Sequence, residues 1–466
     1  MSIIINNYIV QLKDVFKIKI QSLLSILVSK FIMKLSKLLF QGGTNFPGKI
    51  ALKLDKNILK TIASNYEVIL ITGTNGKTTT TSMIYGIVKD SGKPVITNNT
   101  GANMYTGIIA CFISNYSFKK TSHKRIAVIE VDEANLKFVT QYITPKIITI
   151  TNLFRDQMDR YGEVYTTLKK ILEGVEKVPS STLILNGDES LFGNLGIKND
   201  MKFYGFSAKV NENKIVDINA DAKFCTICKS PYEYNFITYN HLGDFYCTGC
   251  GYKRPALTYS VDKIIELNTS GSTVNINNKE YYINQPGTYN IYNALCAYSV
   301  AKELGIEDDV MQQSLKTVAS SFGRQETLNI DGIEVKIILV KNPAGYDEAV
   351  NTINLDTRKI NLSLMLNDNY ADGKDVSWIW DVNFERLTNL NIDKIMISGI
   401  RLYDMAIRLK VAGFSSDSFL LCSDEEKLLN EIKACNGEIV YILATYTAMI
   451  NLRKFLHTKG YIDKIW

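Results

Sequence analysis

Two short patterns carry residue types that do chemistry. Gly73-Thr74-Asn75-Gly76-Lys77-Thr78 lies between an apolar run, Val68 to Ile71, and a helix-forming stretch, the context a phosphate-binding loop needs. Its glycines let backbone N–H groups approach phosphate oxygens, the helix N-terminus favours negative charge, Lys77 reaches the terminal phosphates and Thr78 can hold Mg²⁺. Only two residues separate Gly73 from Gly76, so the eight-residue Walker pattern is not met. A chance Gly-Lys-Thr in a turn is the bland alternative, and the flanking strand and helix speak against it. The second pattern is Cys225-Thr226-Ile227-Cys228 followed, after eighteen residues, by Cys247-Thr248-Gly249-Cys250. Two CxxC pairs at that spacing fit a four-thiolate zinc site, which has no open position for water and so points to a structural role. Four unrelated cysteines or redox pairs are the alternative. Cys111, Cys296, Cys422 and Cys435 are scattered through apolar surroundings and read as reduced core residues. His241 falls inside the cysteine-rich segment but is not needed as a ligand.

The elements that must position these residues are those of an αβ chain. Strands are expected at Val68 to Ile71, Ile126 to Ile129, Ile147 to Ile150 and Leu183 to Leu185, with helices between them. That alternation predicts a largely parallel sheet covered by helices. A segment crowded with cysteine, tyrosine and glycine interrupts it from Asp221 to about Pro255. The αβ texture resumes with a helix over Asn290 to Leu304. After the Gly323-Arg324 turn, strands at Val335 to Val340, Ile360 to Leu366, Lys394 to Ile397 and Ile439 to Ile442 suggest a second doubly wound domain.

With 466 residues, 46% hydrophobic and 21% charged, the chain is an ordinary globular protein of two or three domains. Its formal charge of +6 is too thin for a typical nucleic-acid binder. The basic excess gathers at the N-terminus, where Lys13, Lys17, Lys19, Lys30, Lys34, Lys37, Lys49, Lys53, Lys56 and Lys60 face only Asp14 and Asp55. Leu23, Leu24, Leu27, Val28, Phe31, Leu35 and Leu39 recur there at helical spacing. The run is too short and too charged to span a bilayer, and no signal-peptide cleavage site follows it, so a cytoplasmic protein is expected. The pattern predicts a helix packed on the first domain, with contact to an anionic membrane face as the alternative.

The loop GTNGKT resembles that of Mur ligases and folylpolyglutamate synthases, and the resemblance continues in family order. Glu130, in VIEVDEANL, matches the strand-end carboxylate that holds Mg²⁺. Asn152, Asp156 and Asp159, in TNLFRDQMDRYGE, match an Asn followed by an Asp-His-(Leu/Met)-Asp cluster, with Gln157 in place of the metal-binding His, which leaves a second Mg²⁺ open. Leu185-Asn186-Gly187-Asp188 and Gly287-Thr288-Tyr289-Asn290-Ile291-Tyr292-Asn293 match regions around adenine and ribose, and Gly323-Arg324-Gln325-Glu326 matches the hinge. Carried over residue by residue, the resemblance implies ATP binding by Gly73, Thr74, Asn75, Gly76, Lys77, Thr78, Thr79, Asn290, Asn293 and Arg324. It implies Mg²⁺ at Thr78 and Glu130, and catalytic roles for Lys77 and Glu130.

The cysteine-rich insertion, LVKNPAGYDEA and LNDNYADGKDVSWIWDVNFE narrow the resemblance to the MurT family, synthetase subunits of lipid II isoglutaminyl synthase. The implied fold is α/β, a Mur-ligase-like P-loop central domain (61–322) with a Cys₄ zinc ribbon inserted at 221–256. A C-terminal Rossmann-like α/β domain (323–466) follows, and a basic amphipathic segment (1–60) precedes. The short stretch ahead of the loop leaves no room for a nucleotide-sugar-binding domain and leads one to expect a lipid-linked acceptor.

The implied reaction is ATP-dependent amidation of the D-glutamate α-carboxylate of the lipid II stem peptide to D-isoglutamine through an acyl phosphate. The chain has only three histidines and no Gly-x-Cys-x-Gly elbow, so ammonia is expected from a separate glutaminase subunit, GatD. The family resemblance further implies a carboxylate lent to that partner's Cys-His pair, at Asp375, with Asp368, Asp372 and Asp381 as rivals. A folylpolyglutamate-synthase-like ligase would share the loop but not the ribbon. A non-enzymatic zinc-ribbon module binding nucleic acid would need a basic, aromatic-lined face.

Overall fold

The computed structural model describes residues 19–39, 45–98, 102–118, 124–155, 164–210, 214–215, 221–318, 324–435 and 439–463. Its strands gather into two large sheets and one hairpin. The first six strands are β1 (Tyr66–Thr72), β2 (Val95–Thr97), β3 (Arg125–Glu130), β4 (Ile147–Ile150), β5 (Thr182–Asn186) and β6 (Met201–Phe206). Next come β7 (Glu233–Tyr239) and β8 (Leu242–Tyr246), which pair with each other, then β9 (Tyr259–Leu267), β10 (Ser272–Ile276) and β11 (Lys279–Ile283). The first sheet runs β11-β10-β9-β6-β5-β4-β1-β3-β2. It is parallel from β2 to β9, and β10 and β11 add an antiparallel edge.

β1 reads as an almost continuous apolar run because both its faces are covered. Ile69 and Ile71 pack with Met83, Ile84 and Ile87 of the helix Lys77–Asp90 and with the helix Thr288–Glu303. Val68 and Leu70 point the other way, towards Ile58, Ile62, Ile108 and Phe112. The register sets Ile71 beside Glu130 of β3 on one side and Thr149 of β4 on the other. The carboxyl ends of three adjacent strands therefore open at one place, where a doubly wound sheet binds ligands.

The second sheet contains β12 (Arg324–Ile330), β13 (Ile333–Leu339), β14 (Ile360–Met365), β15 (Ile392–Ser398), β16 (Phe419–Cys422) and β17 (Ile439–Ala444), in the order β12-β13-β17-β14-β15-β16. Only the β12–β13 pairing is antiparallel. Its faces bury Leu362, Leu364, Tyr441 and Leu443 on one side and Val440, Ile442 and Met396 on the other. The sequence-predicted strands all form. The antiparallel edge β9–β11 was not anticipated: it belongs to short alternating segments with an Asn277-Asn278 turn, both in the left-handed region, rather than to buried apolar runs.

The N-terminal helix Ile20–Leu39 does pack on the first domain, with Ile26 fully buried and Met33 packed against the core, but most of its predicted apolar stripe faces outward. Ser22, Ser25 and Ser29 are buried, whereas Leu24, Leu27, Phe31 and Leu35 are exposed. No helix among the described residues is long and apolar enough to cross a membrane.

Candidate active site

Gly73 and Gly76 both take positive φ, 120° and 83°, which a side chain would resist. A Cβ on Gly73 would meet Thr151 Oγ1 at 2.4 Å and one on Gly76 would meet Asn293 Oδ1 at 2.1 Å, so the loop is close-packed between the end of β4 and the helix Thr288–Glu303. Asn152 fixes it further: its Oδ1 accepts from Asn75 N at 2.9 Å, and its carbonyl accepts from Thr74 N at 2.9 Å. Thr151 Oγ1 donates to Asn75 O at 2.7 Å. The helix beginning at Lys77 then aims its N-terminus at the loop.

Thr78 Oγ1 donates to Glu130 Oε2 at 2.8 Å, and Asn103 Nδ2 donates to Glu130 Oε1 at 2.9 Å. Glu130 is thus a buried carboxylate with neutral hydrogen-bond donors around it. Lys77 is largely buried, its side chain 11% accessible. Its Nζ lies 2.7 Å from Glu133 Oε1 and also donates to the Gly73 and Thr74 carbonyls. Burial pushes the Glu133 carboxyl up, against the pull of Lys77. Thr79 is buried in the first helical turn and lines the cleft beside the loop.

Asn293, which abuts Gly76, accepts from Thr80 Oγ1 at 3.2 Å and donates to Asn290 Oδ1 at 3.1 Å, so Asn290 is linked to the loop through Asn293. Asn186 and Asp188, matched from the sequence to the nucleoside region, are fully buried. Asp188 is engaged by Arg254 at 2.8 Å, Tyr292 OH at 2.6 Å and Phe206 N at 2.8 Å, which ties the insertion to the sheet and helix. Arg324 contributes backbone to β12, and its side chain, with Gly323, Asp156, Gln157 and Asp159, lies outside the described residues.

Sequence reasoning missed the contribution of the second sheet's domain. Asn342 Nδ2 donates to Asn75 Oδ1 at 3.1 Å, while its own Oδ1 caps the helix Pro343–Ile353 through Gly345 N at 2.8 Å. Lys341 Nζ comes within 3.4 Å of Thr74 O. Both sit in VKNPAG, legible as a strand end followed by Asn-Pro, an N-cap and N1 signal, though not as a loop partner. Glu133 was likewise passed over, because nothing in VIEVDEANL says that the turn after β3 folds back onto Lys77. Between the domains a cleft of about 330 Å³ is lined by Thr238, Tyr239, Gly287, Asp347, Glu348 and Arg386 among others. It shares Tyr239, Ala344 and Glu348 with the smaller space at the loop. Burial pushes Glu348 up to about 7.

The insertion is organised by two matching turns. Cys225 O accepts from Lys229 N at 3.0 Å and Cys247 O from Gly251 N at 2.9 Å, with Lys229 and Gly251 both at positive φ. Cys225 N donates to Ser230 O and Cys247 N to Tyr252 O in the same pattern. All four Sγ atoms fall within 4.8 Å of one another. His241, fully buried, hydrogen-bonds Glu189 at 2.9 Å instead.

The four candidate C-terminal carboxylates differ in their surroundings. Asp372 is buried and accepts from Thr447 N at 2.7 Å, Asp368 pairs with Arg401 at 3.0 Å, and Asp381 lies 3.4 Å from Arg155 of the first domain. Asp375 is exposed, and its Oδ1 accepts from Ser377 N at 2.8 Å.

Comparison with known proteins agrees with this architecture. The Mur ligase middle domain matches residues 71–248 and the MurT ligase C-terminal domain matches residues 339–449. The chain is 42% identical to the lipid II isoglutaminyl synthase (glutamine-hydrolyzing) subunit MurT of Streptococcus pneumoniae, over 91% of this chain and 94% of that one. It is 36% identical to the Staphylococcus aureus subunit of the same name, over 83% and 86%. In three dimensions it superposes on a pseudomurein peptide ligase type C from Methanothermus fervidus with a TM-score of 0.66 at 19% identity, covering 87% of this chain and 81% of that one, a likeness of fold. The chain therefore belongs to the MurT family and is an ATP-dependent ligase of the Mur type.

Proposed function

We propose that the protein amidates the α-carboxylate of D-glutamate in the lipid II stem peptide, giving D-isoglutamine, with ammonia delivered by a glutaminase partner of the GatD kind. The relatives named above supply the substrate class. The observation that carries the chemistry is the loop cluster, in which Thr78 and Glu130 sit at hydrogen-bond distance beside Lys77.

A carboxylate is a poor electrophile because oxide is its leaving group. In the proposed sequence a carboxylate oxygen attacks the γ-phosphorus of ATP and the bond to the β–γ bridging oxygen breaks, releasing ADP. Ammonia then attacks the acyl carbon, phosphate departs with the C–O electrons, and the nitrogen loses a proton. The loop amides and Lys77 would neutralise and align the transferring phosphoryl group. Thr78 and Glu130 offer hard oxygen donors, with Glu130 buried among neutral partners, and so fit Mg²⁺, which when bound would offset phosphate charge. The interdomain cleft would take the nucleoside, with Asn290 and Asn293 between it and the loop.

Four thiolates around one zinc ion sit about 3.8 Å apart, given Zn–S bonds of about 2.3 Å in a tetrahedron. The separations of 3.4 Å for Cys228–Cys247 and 3.6 Å for Cys225–Cys250 suit such a site, and we assign the insertion a structural zinc. For the partner, Asp375 is favoured because it is exposed, whereas Asp372 is buried, Asp368 pairs with Arg401 and Asp381 lies beside Arg155. The testing experiment incubates the chain with ATP, Mg²⁺, ammonium and lipid II. Phosphate release that requires both lipid II and ammonium supports the reading, whereas equal release with a folate polyglutamate acceptor contradicts it.

A further inference from the structure

The N-terminal helix Ile20–Leu39 buries Ile26 but leaves most of its large apolar residues on the outside. Beside Ile26, its inner face carries small polar residues: Ser22 Oγ donates to Asp55 Oδ2 at 2.6 Å, Ser25 Oγ donates to Ala51 O at 3.0 Å, and Ser29 is fully buried. Their size lets the helix Asn45–Leu54 approach closely. Its outer face carries Ile20, Leu24, Leu27, Phe31 and Leu35, which recur at helical spacing as one stripe and are between 45% and 85% exposed. Five large apolar side chains in a row on the outside of an otherwise well-packed domain call for a cover.

The charge around the stripe says what kind. Between residues 19 and 60 the chain has no acidic residue except Asp55, which is buried against Ser22. Lys19, Lys34, Lys49, Lys53, Lys56 and Lys60 are all exposed on this helix and the ones that follow it. Phe46, at the start of the next helix, is exposed as well. An apolar stripe on a helix without acids, in a segment whose lysines are accompanied by no exposed acid between residues 19 and 60, is complementary to a bilayer with anionic headgroups. Apolar side chains enter the acyl boundary and lysines remain among the phosphates. A second copy of this chain would bring the same lysines against each other.

We propose that the stripe Ile20/Leu24/Leu27/Phe31/Leu35 docks the protein on an anionic lipid surface. The inference rests on the helix and not on the identity of the acceptor, so it stands or falls separately from the proposed reaction.

The test is co-sedimentation of the full chain with vesicles of phosphatidylcholine alone or with phosphatidylglycerol added. Binding is expected only to the anionic vesicles, weakening as salt rises. The pair of substitutions Leu27→Glu and Phe31→Glu should reduce it at least tenfold, with the melting temperature unchanged. The milder pair Leu24→Ser and Phe31→Ser should reduce it in the same direction, which guards against a folding defect in the first. Three results would overturn the proposal: no sedimentation of the wild-type chain with anionic vesicles, wild-type binding by both variants, or a dimer of the wild-type chain that the substitutions convert to monomer without a change in lipid binding. Binding that appears only after removal of residues 1–18 would show instead that the chain's own N-terminal segment covers the stripe.

Discussion

Lys77 Nζ stands 2.7 Å from Glu133 Oε1, and both side chains are nearly inaccessible. The lysine expected to meet the phosphates of ATP is therefore already paired with a buried carboxylate. Removing one member of such a pair strands the other and typically costs about 3–5 kcal/mol. Lys77→Ala should accordingly abolish ATP-dependent amidation and also lower the melting temperature. Lys77→Met combined with Glu133→Gln should recover most of the lost stability and none of the activity. Activity regained in the double variant would remove Lys77 from the chemistry.

The pair His241–Glu189 links the hairpin to the turn after β5. Burial pulls the imidazole down, but the charge and hydrogen bond of Glu189, with Asp221 behind them, hold it above its ordinary value. A group raised on folding stabilises fully below its unfolded value of about 6.5 and loses that contribution as pH rises through its folded value. Stability relative to a His241→Asn variant should therefore be greatest below about pH 6 and shrink towards alkaline pH. A difference that is flat, or that grows with pH, would show that the imidazole is not charged in the fold.

Glu348, in the interdomain cleft, carries the same sign for another reason. Burial pushes it up to about 7 from an ordinary 4.5, so ionisation opposes folding as pH rises between those values. Glu348→Gln keeps an acceptor for Asn351 Nδ2 and should match the wild type below pH 4.5, then exceed it by roughly 3 kcal/mol above pH 7. Chemical denaturation at the two pH values checks this, and equal differences at both would contradict it.

Careful metal analysis of native protein should find one zinc per chain, and Cys225→Ser should lose it. Because Asp188 ties the insertion to the sheet through Arg254, the loss should loosen the hairpin first, seen as faster amide exchange over residues 225–254, before ATP binding weakens. Protein free of zinc with unchanged exchange in the variant would leave the cysteines without a metal role.

The legibility of this fold was uneven for physical reasons. Buried parallel strands such as Val68 to Ile71 announce themselves as apolar runs, and the loop's glycines mark the turn. Contacts formed by the docking of one domain on another have no local signature: Asn342 reads as a helix cap, and its bond to Asn75 joins residues 267 positions apart. Periodicity misled at the N-terminal helix, since it reports that one face is apolar but not that the apolar face points inward. The CxxC spacing foretold which cysteines meet, while the buried His241–Glu189 pair had no signal at all.

Asp375→Asn should abolish glutamine-dependent amidation in the complex with a glutaminase and preserve activity with added ammonium. Loss with both nitrogen sources would place Asp375 in the synthetase site or in the fold.

The most direct test of the central claim follows the oxygen atoms. Lipid II bearing heavy oxygen in the D-glutamate α-carboxylate is incubated with the protein, ATP, Mg²⁺ and ammonium, and product and phosphate are weighed by mass spectrometry. Transfer of one labelled oxygen to phosphate, with the other kept in a new amide, is the expected result. Unlabelled phosphate, or lipid II that returns unchanged, would contradict activation of this carboxylate by ATP.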